Sequence, residues 1–115
     1  MLVLDCEVYS NYFLLMFKDI ETGKYAAFEM YEQKELDIKR VKELMSTATT
    51  ISFNGNSYDL IIISAALAGA APVKLKEISD AIIKSNLPAW KVAQSFRGRI
   101  PHWDHVDVIE GAPGK

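Results

Sequence analysis

The sequence is poor in the residues that staple, coordinate or coat. It holds a single cysteine, Cys6, which excludes an internal disulfide and fits a reducing compartment. Histidine is confined to His102 and His105. Strand alternation sends those two to opposite faces, which argues against a single transition-metal site in the HWDH stretch. Positive charge is not in excess: 13 Lys and Arg against 15 Asp and Glu leave a net charge of −2 and a pI near 5.6. Such a chain does not bind nucleic acid by bulk charge, and any contact of that kind must be local. The longest apolar run, Leu60 to Val73, falls short of the roughly 20 residues that a spanning helix needs, so it is read as a core helix and no membrane association is expected. Asp5 and Glu7 interrupt the only apolar N-terminal stretch, which argues against a secretory leader.

What remains is the composition of a folded domain. Half of the 115 residues are apolar and 24% are charged, so residues 1–115 are expected to form one domain with a real core. The stretch LVLDCEVYS opens with β-formers and predicts a first strand over Leu2 to Glu7, followed by a turn at Ser10 and Asn11. Tyr12 to Lys18 and KYAAFEM predict two more strands, joined through Thr22 and Gly23 into an antiparallel meander. Glu32 to Ala48 carries Leu36, Ile38, Val41, Leu44 and Met45 at helical spacing and predicts an amphipathic helix. Thr50 to Phe53 reads as a short strand, parallel to an earlier one after the helical crossover. Asn54-Gly55 and three consecutive isoleucines suggest a hairpin. A capping Asn56 or Ser57, Asp59 in a first turn and the alanine-rich run to Ala71 favour a helix instead. Val73 to Ser85 predicts a further helix, and His102 to Ile109 a last strand. The order predicts an α/β fold whose mixed sheet is flanked by helices.

Asp5 and Glu7 are the puzzle in this arrangement. Residues i and i+2 of a strand share a face, so the two carboxylates point one way and Cys6 the other. Crowded like charges repel, and a divalent cation relieves them; an all-oxygen donor set suits Mg²⁺ or Mn²⁺. The alternative is a strand with one plain solvent-facing side. If the strand at Thr50 to Phe53 lies parallel beside the first, its C-terminal end brings Asn54 and a third carboxylate, Asp59, to the same edge. Cys6, directed inward, is expected to be an inert core thiol. Lys91, Arg97 and Arg99, interleaved with Trp90 and Phe96, offer a grip for a single strand, or equally a solvated loop. GAPGK lacks the spacing of a phosphate-binding loop.

LDCE followed by SFNGNSYD resembles the first two motifs of the DEDD superfamily of 3′–5′ exonucleases, whose fold is ribonuclease H-like. The likeness is nearest to the exonuclease regions of family B DNA polymerases and their phage-encoded relatives. The resemblance implies antiparallel β1-β2-β3 with β4 and β5 parallel to β1, and hydrolysis of DNA phosphodiester bonds assisted by two Mg²⁺ or Mn²⁺ ions. It implies Asp5, Glu7 and Asp59 as metal ligands and catalytic residues, with Asn54, Tyr58 and, at the site's edge, Asp104 on the substrate side. The implied partners are the 3′ end of single-stranded DNA and a polymerase domain in the same or another chain. The implied location is the cytoplasm of a bacterial or phage-infected cell. The family's third motif, a Tyr or His a few residues before a fourth Asp on a late helix, has no counterpart after His102, and Asp107 on its strand does not fit that position. The chain is therefore expected to stop before the family's C-terminal helices, or to be a degenerate relative that binds nucleic acid or protein without cutting. An unrelated small α/β fold with a polar strand face is the third expectation.

Overall fold

The computed structural model describes residues 1–53, 58–85 and 101–108. Within them the chain runs β1 (Leu2–Tyr9), β2 (Tyr12–Asp19), β3 (Tyr25–Met30), α1 (Ile38–Thr47), β4 (Thr50–Ser52), α2 (Asp59–Leu67), α3 (Pro72–Ser85) and β5 (His105–Asp107). The strands form one mixed sheet in the order β3-β2-β1-β4-β5. β1, β2 and β3 make the antiparallel meander, and β4 lies parallel to both β1 and β5.

Period-two alternation decides which side of the sheet is buried. Leu4 and Cys6 of β1 and Phe13, Leu15 and Phe17 of β2 face inward, registered as Leu4↔Phe17, Cys6↔Leu15 and Val8↔Phe13. They meet α3, which packs on β1 and β2, and α2, which touches β1 and both other helices. α2 is apolar all round and is buried from Asp59 to Ala66, as a helix enclosed on every side must be. Val3, Asp5 and Glu7 point to the opposite face, which is open among the described residues. The sheet is thus covered by helices on one side there.

Element ends depart from the expected ones for local reasons. α1 begins at Ile38 and not at Glu32, because the Tyr31 and Lys34 backbones exchange two hydrogen bonds of 3.0 Å in a tight turn. Asp37 then caps the helix, its side chain accepting from the Arg40 N–H at 3.1 Å. α2 stops at Leu67 and not at Ala71. Gly69, at φ +104°, takes a conformation that L-residues avoid, and the Gly69 and Ala70 N–H groups close the last turn on Ala66 and Ala65. Pro72 can then open α3 at no hydrogen-bonding cost. β5 is confined to His105–Asp107, a shorter strand than His102 to Ile109. The expected caps Asn56 and Ser57, the candidate Asn54, the basic stretch with Lys91, Arg97 and Arg99, and GAPGK lie outside the described residues. No described helix is long and apolar enough to cross a membrane.

Candidate carboxylate site

β1 is longer than its parallel neighbour. Pairing with β4 ends at Val3↔Ile51, so the β4-facing edge of β1 beyond that point needs other partners. Asp59, the first residue of α2, comes to this edge, close enough for the backbone N–H and the thiol of Cys6 to favour its charge. The helix start is suited to an acidic group, since its free N–H groups and dipole favour negative charge.

The surroundings oppose that charge. Asp59 is only 5% exposed. Burial first, then the charges of Asp5 and Asp107, push its carboxyl up from 3.8 to about 7, against the opposing bonds from Cys6. The Cys6 thiol is pushed well up in turn by burial and by the charges of Asp59 and Asp5, which makes it the inert core thiol that its inward direction implied. Asp5 and Asp107 are therefore each close enough to act on Asp59, although Asp5 leaves β1 on the open face and Asp59 sits on the Cys6 side.

Glu7 shares the open face with Asp5, as alternation requires, but lies one residue pair further along β1, where the Tyr9 hydroxyl reaches its Oε2 at 3.5 Å. Tyr58 reaches to α3. Its hydroxyl is hydrogen-bonded to Ser79 Oγ of α3 at 2.8 Å, and burial raises its pKa. Asp104 sits before β5, where its Oδ2 accepts from the Thr49 hydroxyl. That is the opposite end of the parallel strands from Asp107, roughly 10 Å away at about 3.3 Å per residue. The structure therefore brings Asp5 and Asp59 together, leaves Glu7 one step out, and gives Tyr58 and Asp104 bonding partners elsewhere.

Two polar residues of this edge, given no role from the sequence, also meet here. Asp107 is buried beside Ser52, its registered partner on β4. His105, two residues earlier and on the same face, bridges two β4 hydroxyls: Nδ1 to Thr50 Oγ1 at 2.6 Å and Nε2 to Ser52 Oγ at 2.8 Å. Burial lowers the His105 pKa, with Asp107 opposing, so the ring is held neutral with one nitrogen donating and the other accepting. The available signal was the short alternation T-I-S set against H-V-D, whose polar positions coincide only once the parallel register is known.

The donor chemistry at Asp5 and Asp59 fits a hard divalent cation, since both offer carboxylate oxygens and the mutual repulsion that raises Asp59 is what a cation would relieve. Among the described residues, however, no three His, Cys, Asp or Glu side chains are already arranged around a common point as a metal cluster. A cleft of about 480 Å³ lies at the other end of α2, between Tyr31, Leu36 and the Gly69–Pro72 turn, and contains none of these carboxylates. No family model, curated protein or solved structure matches the chain, and the reading of the site rests on its own geometry.

Proposed function

We propose that the chain is the carboxylate-bearing part of a ribonuclease H-like, metal-dependent 3′–5′ exonuclease that hydrolyses DNA phosphodiester bonds from a single-stranded 3′ end, in proofreading or as a separate nuclease. The observation that carries this reading is the coupling of Asp5 to Asp59. A helix that starts after a short parallel strand delivers a carboxyl to the strand bearing the D-x-E pair, where the charge of Asp5 disfavours that of Asp59. The order β3-β2-β1-β4-β5, with β1, β4 and β5 parallel, is consistent with the proposed fold.

In this reading Asp5 and Asp59 hold Mg²⁺ or Mn²⁺, with Glu7 joining from the open face. Bound divalent cations would supply an activated water and stabilise the leaving oxygen of the phosphodiester. The protein's own share is positional: the Cys6 N–H and thiol stand by the Asp59 carboxylate and favour its charge, and the β1 strand fixes Asp5 and Glu7 on one face. Asn54 is assigned to the substrate side. Tyr58 is assigned there too, its hydroxyl also hydrogen-bonded to Ser79.

The second reading, a non-catalytic module that holds nucleic acid, is favoured by the position of Glu7, apart from Asp59 and Asp107. One experiment separates the two. A 5′-labelled single-stranded oligodeoxynucleotide is incubated with the protein in EDTA, Mg²⁺ or Mn²⁺, alongside Asp5→Ala and Asp59→Asn, and a second sample is titrated in Ca²⁺. A cation-dependent ladder shortening from the 3′ end, lost in both variants, supports the exonuclease. Cation-dependent binding without shortening supports the module. Neither binding nor cleavage removes both.

A further inference from the structure

On the open face, one row beyond Glu7, three tyrosines stand side by side across the meander. Tyr9 of β1 is registered with Tyr12 of β2, and Tyr31 follows β3 on the same face. Their rings are 6.4 Å apart, tilted at 38°, from Tyr9 to Tyr12, and 6.3 Å apart, nearly parallel at 26°, from Tyr12 to Tyr31. The outer two remain open to solvent, Tyr9 at 54% and Tyr31 at 37%. The Tyr12 hydroxyl donates to Glu29 at 2.7 Å and the Tyr9 hydroxyl lies 3.5 Å from Glu7, so the middle ring is held and the outer two are the ones open to a partner.

The charge around this row is uneven. Glu29 already receives the Tyr12 hydroxyl and the Lys34 ammonium, the latter at 3.7 Å. Glu7 and Asp5 remain, the pair to which the exonuclease reading assigns cations. The row is therefore repulsive to phosphate when that pair is bare and hospitable when it is cation-loaded. Tyr9 and Glu7, two residues apart on one face, are separated by roughly 7 Å along the strand. A base lying on Tyr9 would carry its own phosphate towards the carboxylates.

We propose that Tyr9, Tyr12 and Tyr31 form the stacking platform for the unpaired bases at the 3′ end of single-stranded DNA. The inference rests on the exonuclease reading for its cations and adds to it the surface that holds the bases. Every base has a π-face, so such a row grips a single strand without regard to sequence.

The same ring contacts would also brace the end of the β1–β2 hairpin, and the test must separate the two roles. The protein is titrated, in Ca²⁺ and in EDTA, with two labelled oligodeoxynucleotides of equal length, one of thymidines and one abasic, and with the Tyr9→Leu/Tyr31→Leu and Tyr9→Phe/Tyr31→Phe double variants. In Ca²⁺ the wild type and the Phe variant are expected to bind the base-bearing strand about tenfold or more tightly than the abasic one, a preference of about 1.4 kcal/mol or more. The Leu variant is expected to lose that preference while its abasic affinity stays unchanged, which shows that it is folded and that its carboxylates still take the cation. A wild type without base preference, or a Leu variant that keeps it, overturns the platform and leaves the exonuclease reading standing on the cation-dependent binding. A wild type that binds neither strand in Ca²⁺ overturns both.

Discussion

Asp59 gives the sharpest test of the site in the cation-free protein. Its carboxyl rises from 3.8 to about 7 on folding, through burial and the charges of Asp5 and Asp107. At 1.36 kcal/mol per pH unit, ionising it in place costs roughly 4 kcal/mol, a large part of the 5–15 kcal/mol that holds a typical domain together. The folded state keeps a proton that the unfolded chain has released, so stability is full below pH 3.8, falls as the pH rises towards 7, and is flat above. Asp59→Asn is neutral at every pH and retains an oxygen to accept from the Cys6 N–H. Urea denaturation of both proteins in EDTA should find the variant gaining on the wild type by about 2 kcal/mol between pH 5 and pH 7, the part of the window spanned there less the half-ionisation reached at pH 7. His105 has the opposite sign, since its lowered pKa makes the folded state lose stability as the pH falls below 6.5. Both proteins carry His105, and its contribution cancels in the difference. A difference flat to within about 0.5 kcal/mol across that range would refute the placement of Asp59 among opposing charges, given the error of such extrapolations. Millimolar Mn²⁺ at pH 8 should then stabilise the wild type and leave the Asn variant unmoved, because binding to the folded state alone raises stability by mass action.

Asp5→Ala removes one of the two charges that raise Asp59, so it should slightly stabilise the cation-free protein above pH 7 in the same denaturation series and abolish the response of the melting temperature to Mn²⁺. His105→Ala leaves the buried hydroxyls of Thr50 and Ser52 without their bridge and should cost about 2 kcal/mol in urea unfolding, with His105→Gln recovering part of it. Gly69→Ala meets no atom within 4 Å of the added Cβ, so its expected loss of about 1–2 kcal/mol comes from the backbone at φ +104° alone. Gly69→Asn should lose less than the alanine variant, and equal losses would mean that the turn has shifted to relieve the strain.

The order of the elements could be read from the chain because each is signalled locally. Period two marks β1 and β2, turn chemistry at Thr22-Gly23 separates β2 from β3, and the spacing of Val41 and Met45 marks α1. The start of α1 escaped because Glu32–Asp37 is rich in helix formers, and what keeps it from the helix is a backbone exchange between Tyr31 and Lys34 that composition does not record. The end of α2 was available in Gly69 and was overridden by the alanines around it. The shared face of Asp5 and Glu7 follows from alternation alone. The partnership of Asp59 with Cys6 does not, because it depends on β4 ending before β1 does, and the polar cluster of His105, Asp107, Thr50 and Ser52 depends on the register of two short strands 55 residues apart.

That difference in strand length also explains why a charge is found where burial opposes it. With β4 gone after Ser52, the Cys6 N–H needs an acceptor, and the first turn of α2 is placed to give one. An amide would suffice: asparagine at position 59 would accept the same N–H with no charge to desolvate and nothing for Asp5 or Asp107 to repel. A structural cap selected for stability alone would therefore favour asparagine at neutral pH by the several kcal/mol worked out above. Carboxylates kept at such a cost are what functional sites tend to hold. The polar-face reading explains Asp5 and Glu7, which are exposed, but leaves Asp59 without a reason. The proposed cation, shared between Asp5 and Asp59, would supply that reason and would turn the repulsion of the cation-free state into affinity for the ion.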